Sequence, residues 1–386
     1  MPLLGRERTL FRLFGLPIKA DLSWLFLVAL VVLSLAQGVF PDSRWLGPKW
    51  PVYVYWLLAF IGAAALFASL IVHEMCHSLV ARKTGMPVSG ITLFIFGGVS
   101  QLEDEPPTAG TEFLMAIVGP LSSVMLGVIF LIATAIGSRL GWSRPVLAVL
   151  AYLSFINFLL AGFNMLPAFP LDGGRVLRSI IWGITQNLRL ATNVAVQIGA
   201  FFGLGLIFFG VLLLFNHVVI GGIWLMVIGF FLRQAAQGSL QMVVMRQQLQ
   251  GEKVRRFMTT DLVTVPRGLT VQNFVDGYVF HHRFSYYPVV DDDGRLRGLL
   301  SARAPRDVPQ EQWSATPVDA VMSPADENMV LDPETDAVDA LSMLRLRQEH
   351  RAVVVQDGHP IGIVSLRDLL SFLALKIDLE PRRFPR

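Results

Sequence analysis

An apolar stretch of the chain contains the pattern His-Glu-x-x-His and runs Leu70-Ile71-Val72-His73-Glu74-Met75-Cys76-His77-Ser78-Leu79. Because a helix advances about 100° per residue, residues four apart share a face, and His73 and His77 are neighbours on it. Two imidazoles at this spacing can hold one Zn²⁺, and Glu74 can act as general base for a water molecule at the metal. Histidine and glutamate are costly in a bilayer and are kept there mainly for function, so the pattern predicts a metal site rather than two core histidines.

The composition indicates a membrane protein with a separate soluble part. Hydrophobic residues make up 53% of the chain and charged residues 16%, whereas an average soluble domain carries about 25% charged residues. The apolar part extends from about residue 24 to 232, and residues 246–386 are mixed and charged. The basic residues beside apolar segments and the small net charge of +3 indicate anionic lipid as the partner, not nucleic acid. The single cysteine, Cys76, excludes an intrachain disulfide framework, and no signal peptide is recognisable.

Six apolar segments are candidates for membrane spans, each of which takes about 20 residues. We expect these spans at about 21–40, 52–80, 113–136, 146–166, 195–215 and 218–232. The segment 85–105 combines glycines with alternating apolar residues and predicts a strand pair or a re-entrant loop. Non-helical backbone at membrane depth is tolerated only beside protein or a wet cavity, so this segment is expected to line a site. Residues 8–20 are compatible with a short strand or with an interfacial segment.

Positive charges give the expected orientation of these spans. Basic residues precede the first span and follow the second, fourth and sixth, whereas the loops on the opposite side carry fewer. The positive-inside rule therefore places both termini and the charged C-terminal part in the cytoplasm of a cell-membrane protein.

A third metal ligand is needed, because catalytic zinc sites usually have three protein ligands and one open position. The candidate is Asp172, which follows two helix-breaking prolines after the fourth span and is expected in a glycine-rich turn. The second and fourth spans run in the same direction, and His77 and Asp172 each lie shortly before basic residues, which predicts a similar depth. The alternative is an ordinary turn aspartate. Asn164, near the end of the fourth span, is compatible with binding a substrate backbone or with capping, and Cys76 is expected to be a packed small residue.

These residues resemble the site-2 protease family of intramembrane zinc metalloproteases. The resemblance covers roughly residues 1–235 and rests on His73-Glu74-Met75-Cys76-His77, Asn164-Met165-Leu166-Pro167 and Leu171-Asp172-Gly173. It implies cleavage of a peptide bond within a membrane segment, with one Zn²⁺ per chain on His73, His77 and Asp172, and with Glu74 as the catalytic residue. Substrates of the family are membrane-anchored regulators such as anti-sigma factors, so the expected partner is a single-span membrane protein.

Other parts of the same region bear on the substrate and on the metal. Gly97 and Gly98 also resemble the family and, with Asn164, are candidate substrate-binding residues. Gly119-Pro120 is similar to the family as well, but Ser122-Ser123 stands where many relatives carry an asparagine. This departure leaves open which residue of the third span supports the site. No inserted PDZ-like domain is recognisable, so substrate gating is expected to differ from relatives that carry one.

The charged part contains an internal repeat. Val254-Arg255-Arg256-Phe257-Met258-Thr259 and Val318-Asp319-Ala320-Val321-Met322-Ser323 begin its two halves, and each half continues to an apolar strand, a glycine turn and a further strand. The repeat resembles a tandem pair of cystathionine-β-synthase-type (CBS) domains, which commonly bind adenine nucleotides and often dimerise. Ser365 and Asp368 match the usual ribose-contacting pattern, whereas the first half has Ala304 at the position of that aspartate. Both one nucleotide site and a purely structural pair are compatible with this sequence.

The predicted fold is a polytopic α-helical membrane protein with about six transmembrane helices and a short β or re-entrant segment, followed by a soluble α/β tandem CBS module. We expect a metalloprotease domain at 1–235, a linker helix at 236–250, the regulatory pair at 251–375 and a basic tail at 376–386. The predicted function is zinc-dependent intramembrane proteolysis, with activity modulated by a nucleotide. A membrane transporter and an inactive membrane scaffold, each with a CBS module, are the alternatives.

Overall fold

The computed structural model describes residues 8–42, 44–47, 49–102, 105–282, 284–326, 329–346 and 351–379. The chain divides into two compact units, Met1–Val243 and Val244–Arg386. Each unit is described by itself below.

Within the described residues, six helices of the chain are long and apolar enough to cross a membrane. The first continues through a π-helical turn at Leu35–Val39. The six helices are α1 (Leu22–Ser34), α2 (Val52–Lys83), α3 (Ala109–Arg139), α4 (Arg144–Asn164), α6 (Leu188–Phe215) and α7 (Val219–Leu249). The six predicted spans are thus confirmed, because uninterrupted apolar runs of this length form helices whose backbone groups are bonded internally. Of the segment 236–250, predicted as a separate linker helix, residues 236–249 are the last part of α7.

Several of these helices begin after a residue whose side chain caps the first turn. The carboxylate of Asp21 accepts a hydrogen bond from the backbone of Ser23 at the start of α1. Thr108 and Asn187 cap α3 and α6 in the same way. Such caps satisfy backbone N–H groups that have no partner within the helix.

A short helix, α5 (Asp172–Thr185), separates α4 from α6. The prediction that Asp172 lies in a glycine-rich turn was wrong, because Asp172 is the first residue of this helix. Added Cβ atoms at Gly173 and Gly174 would come within 2.3 Å of the Met165 carbonyl oxygen and the Phe169 nitrogen, respectively. The two glycines therefore allow the preceding backbone to pack directly against the first turn of α5, which outweighs their poor helix propensity.

A four-stranded sheet packs on α2. Its strands are β1 (Arg8–Leu13), β2 (Leu16–Ala20), β3 (Val88–Phe94) and β4 (Gly97–Leu102), in the spatial order β1-β2-β3-β4. The pair β2/β3 is parallel and the other two pairs are antiparallel. Residues 8–13 and 16–20 therefore form strands. The strand-pair prediction for 85–105 is correct where the segment is described; residues 103 and 104 lie outside the described part. Ile18, Ile91 and Leu93 are buried in one cluster with Met75 of α2.

A buried ion network connects α3 with α5. Arg178 of α5 and Glu112 in the first turn of α3 are each only 1% exposed, and they form an ion pair. A second carboxylate, on Glu105, accepts a hydrogen bond of 3.1 Å from Arg178. The guanidinium carbon also lies 5.2 Å from the ring centre of Phe169. Since an unpaired charge buried here would cost several kcal/mol, the network restricts where α5 can sit.

The second unit contains two sheets, one for each half of the predicted repeat. The first half is built from β5 (Val265–Pro266), α8 (Val271–Phe274), α9 (Phe280–His282), β6 (Tyr286–Val290) and β7 (Leu296–Ser301). The second half is built from β8 (Ser323–Pro324), β9 (Val330–Leu331), α10 (Ala337–Leu346), β10 (Arg351–Gln356), β11 (His359–Ser365) and α11 (Leu366–Leu379). The predicted basic tail begins inside α11, and its residues 380–386 lie outside the described part.

The two halves exchange their leading segments. Strand β8, which opens the second half, pairs with β7 of the first. Met322 contacts Gly298 of the first half, and Met258 contacts Gly362 of the second half in the same manner. Each half therefore completes its core with residues from the other half.

Candidate metal centre

Helix α2 places His73 and His77 on one buried face. Their rings are 4.9 Å apart between centroids, and the residues are only 2% and 5% exposed. This is the arrangement that the spacing of four residues predicts on a helix.

The outer ring nitrogens of both histidines are hydrogen-bonded to α3. Nδ1 of His73 lies 2.9 Å from Oγ of Ser123, and Nδ1 of His77 donates to the backbone carbonyl of Met115. Because a carbonyl only accepts, the proton of neutral His77 is on Nδ1 and its Nε2 carries the free lone pair. If His73 binds a metal through Nε2, its proton is on Nδ1 as well and is donated to the Ser123 hydroxyl. Both rings therefore turn their Nε2 atoms toward one point, the orientation in which histidines bind a metal through Nε2.

The third residue at this point is Asp172. Its Oδ2 lies 3.1 Å from Nε2 of His73 and 3.3 Å from Nε2 of His77. The three predicted ligands, separated by 99 residues between His73 and Asp172, are thus brought together.

The three residues fit a zinc ion. Their donor atoms all lie within 4.8 Å of one another, and tetrahedral ligands about 2.0 Å from a metal are themselves about 3.3 Å apart. Among the described residues, buried Nε2 of His77 has no hydrogen-bond partner. An added Cβ at Gly119 would lie 2.1 Å from that nitrogen and 2.7 Å from Nε2 of His73. The donor set consists of two imidazoles and one carboxylate around a space that only a glycine at position 119 leaves open. Such a set of nitrogen and oxygen donors suits Zn²⁺.

Glu74 lies beside this centre and contacts β4. Its Oε2 accepts a hydrogen bond of 2.9 Å from Oγ of Ser100. An added Cβ at Gly98 would come within 2.8 Å of the Glu74 Cγ, so this glycine gives the Glu74 side chain its room. At Gly97 an added Cβ would meet no atom within 4 Å, although the backbone φ of +130° disfavours other residues.

Asn164 and Cys76 are not brought into the cluster. The Asn164 amide donates to the Leu160 carbonyl of its own helix at 3.0 Å. Cys76 is partly buried and carries a free thiol, as expected for a packed small residue.

The predicted nucleotide-contacting residues, Ser365 and Asp368, form a capping box at the start of α11. The Ser365 backbone donates to Oδ2 of Asp368 at 2.9 Å, and the Asp368 backbone donates to Oγ of Ser365 at 3.2 Å. Such reciprocal bonds are a common way to satisfy the first N–H groups of a helix.

Sequence reasoning missed the residues of α3 that complete the centre. Met115, Gly119 and Ser123 recur at intervals of four and therefore share one helix face. Small residues such as Gly119 and Ser123 on one helix face indicate that α3 approaches another helix closely. Ser123, noted only as a departure from the family, is the residue that supports His73.

Comparisons with known proteins agree with this centre. The model of peptidase family M50 matches residues 61–141 and 140–206, and the CBS domain model matches 254–304 and 318–375. Zinc metalloprotease MJ0392 of Methanocaldococcus jannaschii is 30% identical over 96% of this chain and 98% of its own.

Two further relatives cover large parts of the chain. A Synechocystis sp. protein, sll0528, is provisionally named a zinc metalloprotease and is 33% identical over 94% of each chain. The site-2 protease structure from M. jannaschii is 28% identical, covers 60% of this chain and 94% of its own, and has a TM-score of 0.42. The two relatives that are 30% and 33% identical over almost their whole length show that the chain belongs to peptidase family M50, as a site-2-protease-like zinc metalloendopeptidase with a C-terminal pair of CBS domains.

Proposed function

We propose that this protein cleaves single-span membrane proteins within or beside their membrane segment. The observation that carries the proposal is the His73–His77–Asp172 cluster with Glu74 beside it, within a bundle of helices long enough to cross a bilayer. The same observation disfavours the transporter alternative, since an ion pathway does not need a general base beside three metal ligands.

The three ligands and Glu74 have separate tasks in this reaction. His73, His77 and Asp172 would hold Zn²⁺, which polarises a peptide carbonyl and makes a water molecule easier to deprotonate. Glu74 accepts the proton of the attacking water and later donates it to the leaving amine. Met115 and Ser123 keep the two imidazole rings oriented while this happens.

A helical substrate must unwind first, because its carbonyls are hidden in its own hydrogen bonds. Strand β4 is at the edge of the four-stranded sheet and passes next to Glu74. We therefore propose that an unwound segment pairs with β4 as an added strand, close to Gly97 and Gly98. Asn164, whose amide has a second hydrogen beyond the bond to Leu160, is proposed to hold the substrate backbone.

The proposed location is the cell membrane, with both termini and the CBS module in the cytoplasm, according to the distribution of positive charges. Anti-sigma factors and similar anchored regulators are the proposed substrates, which the family suggests.

For the CBS module we propose one adenine nucleotide at Ser365 and Asp368, and homodimerisation. Support for the nucleotide is the position of Asp368 in the first turn of α11, where the sequence pattern of the family places the ribose contact.

Replacing Ser123 is expected to weaken zinc binding. Ser123→Ala removes the acceptor for His73 Nδ1, and loss of such a partner typically costs about 10- to 100-fold in metal affinity. The matched control is Ser122→Ala, because the Ser122 hydroxyl donates to the Gly119 carbonyl of its own helix and to no other residue in the described part of the chain. Competition with a fluorescent chelator on the detergent-solubilised protein gives the affinity. Equal affinities for the two variants would contradict the assigned role of Ser123.

Glu74→Gln separates catalysis from metal binding. The variant is expected to retain one zinc per chain and to lose at least about 100-fold in cleavage rate, because no proton acceptor remains. His73→Ala should lose both zinc and cleavage. The measurement is cleavage of candidate single-span proteins in liposomes, together with the metal content of each variant. Wild-type cleavage by Glu74→Gln, or wild-type protein without zinc, would refute the proposed protease mechanism.

Cysteine cross-linking tests the added strand. Val99 of β4 is partly exposed, so Val99→Cys in a Glu74→Gln, Cys76→Ala background provides one reactive thiol. Cysteines scanned along the substrate should cross-link most efficiently at every second position, because strands repeat every two residues. A period of three to four residues would indicate a helical substrate and exclude pairing with β4.

The nucleotide proposal is tested by titration calorimetry of the full chain with AMP, ADP and ATP. One nucleotide should bind per chain, and Asp368→Asn should weaken it at least about tenfold, because a ribose contact to a charged group is lost. The control is Asp332→Asn, since Asp332 also caps a turn in the same unit. No binding at millimolar concentration would support a purely structural pair.

A further inference from the structure

The hydroxyl of Ser100 lies between Glu74 and Ser78. Buried Ser78 donates to Oγ of Ser100 at 3.1 Å. The Ser100 hydroxyl lies 2.9 Å from Oε2 of Glu74 and 3.1 Å from the backbone oxygen of Glu74. Because Ser78 supplies the proton on its side, the single hydrogen of Ser100 is available to Glu74.

The backbone of Ser100 faces the opposite way, toward the free edge of the sheet. A two-residue turn closes the β3–β4 hairpin at the pair Phe94/Gly97, so hydrogen-bonded and non-hydrogen-bonded pairs alternate from there. The Leu93 carbonyl accepts from Asp21 on the far side of β3, which makes Leu93/Gly98 a non-hydrogen-bonded pair. Two residues further on, Ile91/Ser100 is of the same kind. The peptide groups of Gly98 and Ser100 therefore point away from β3, outward from the sheet.

Gly98 and Ser100 are two residues apart, so both belong to the face of β4 that packs on α2. Ser100 bonds to the carboxylate of Glu74, and Gly98 leaves room for its methylene groups. Alternate residues of β4 thus contact Glu74 on the side-chain face of the strand. The peptide groups of the same residues point to the edge of the sheet that pairs with no further strand in the described part of the chain.

We infer that Ser100 is a positioning residue for the proteolytic reaction, which holds the Glu74 carboxylate and connects it to the strand that receives the substrate. The inference rests on the proposed function. A substrate strand that bonds to the peptide group of Ser100 fixes β4, and β4 in turn fixes the orientation of the proton acceptor. Neither histidine is involved, so the effect of Ser100 is separable from metal binding.

The test compares Ser100→Ala, Ser100→Thr and Ser78→Ala with wild type and with Ser122→Ala, all as full-length protein in liposomes. Ser100→Ala is expected to lower kcat about 10- to 100-fold, the typical effect of losing a hydrogen bond to a charged group. KM, the zinc content and the zinc affinity should stay within about twofold, since the ligands and the strand edge are intact. Ser100→Thr keeps the hydroxyl and should restore most of kcat, and Ser78→Ala should have a smaller effect than Ser100→Ala.

Three results would overturn the inference. The first is an unchanged kcat in Ser100→Ala, and the second is a change confined to KM. The third is a loss of kcat accompanied by equal loss of zinc and not recovered by threonine, which indicates a merely structural residue. In each of these cases Glu74-dependent cleavage by wild type still supports the proposed function. If wild type shows no Glu74-dependent cleavage, both the function and the inference fail.

Discussion

The orientation of two imidazole rings is the constraint on which the rest of this structure depends. A histidine ring can rotate about its side-chain bonds, and two free rings would seldom direct their lone pairs to one point. Here the Met115 carbonyl and the Ser123 hydroxyl occupy the outer nitrogens, so both inner nitrogens face the Asp172 carboxylate. Gly119 lies between these two residues on α3 and lets the helix approach without filling the space. Helix α3 therefore shapes the centre although it contributes no ligand.

The position of Asp172 depends on packing of a different kind. Its helix is pressed against the preceding backbone through Gly173 and Gly174, which have no side chains to separate them. Farther along, Arg178 is buried with the carboxylates of Glu112 and Glu105. Removing these charges from water is costly, so such a network contributes little net stability, but it penalises any displacement that would separate them. The helix is thereby held at its first turn and at its middle, and Asp172 at its start is positioned by these neighbours.

The sequence allowed prediction of features that depend on local patterns. Six apolar runs, the spacing of His73 and His77, and the shared depth of Asp172 are all readable along the chain. Helix α5 was not predicted, because a Gly-Gly pair after two prolines favours a turn unless tertiary packing overrides propensity. Ser100 and Ser123 were not assigned roles either. A single serine carries no periodic signal, and its role depends on which distant side chain lies opposite.

The free edge of β4 has a consequence for how the enzyme selects its targets. Peptide groups in hydrocarbon need partners, so an edge strand at membrane depth would need water beside it whenever no other chain is paired with it. In the proposed pairing with β4, a target strand would displace such water close to Glu74, where the reaction consumes water. Recognition through peptide groups also does not distinguish between side chains, since every protein has the same backbone. Selection between target proteins would then depend on how easily the target helix unwinds. Glycine or proline near the cleaved bond would matter more than a consensus sequence, because both weaken helices.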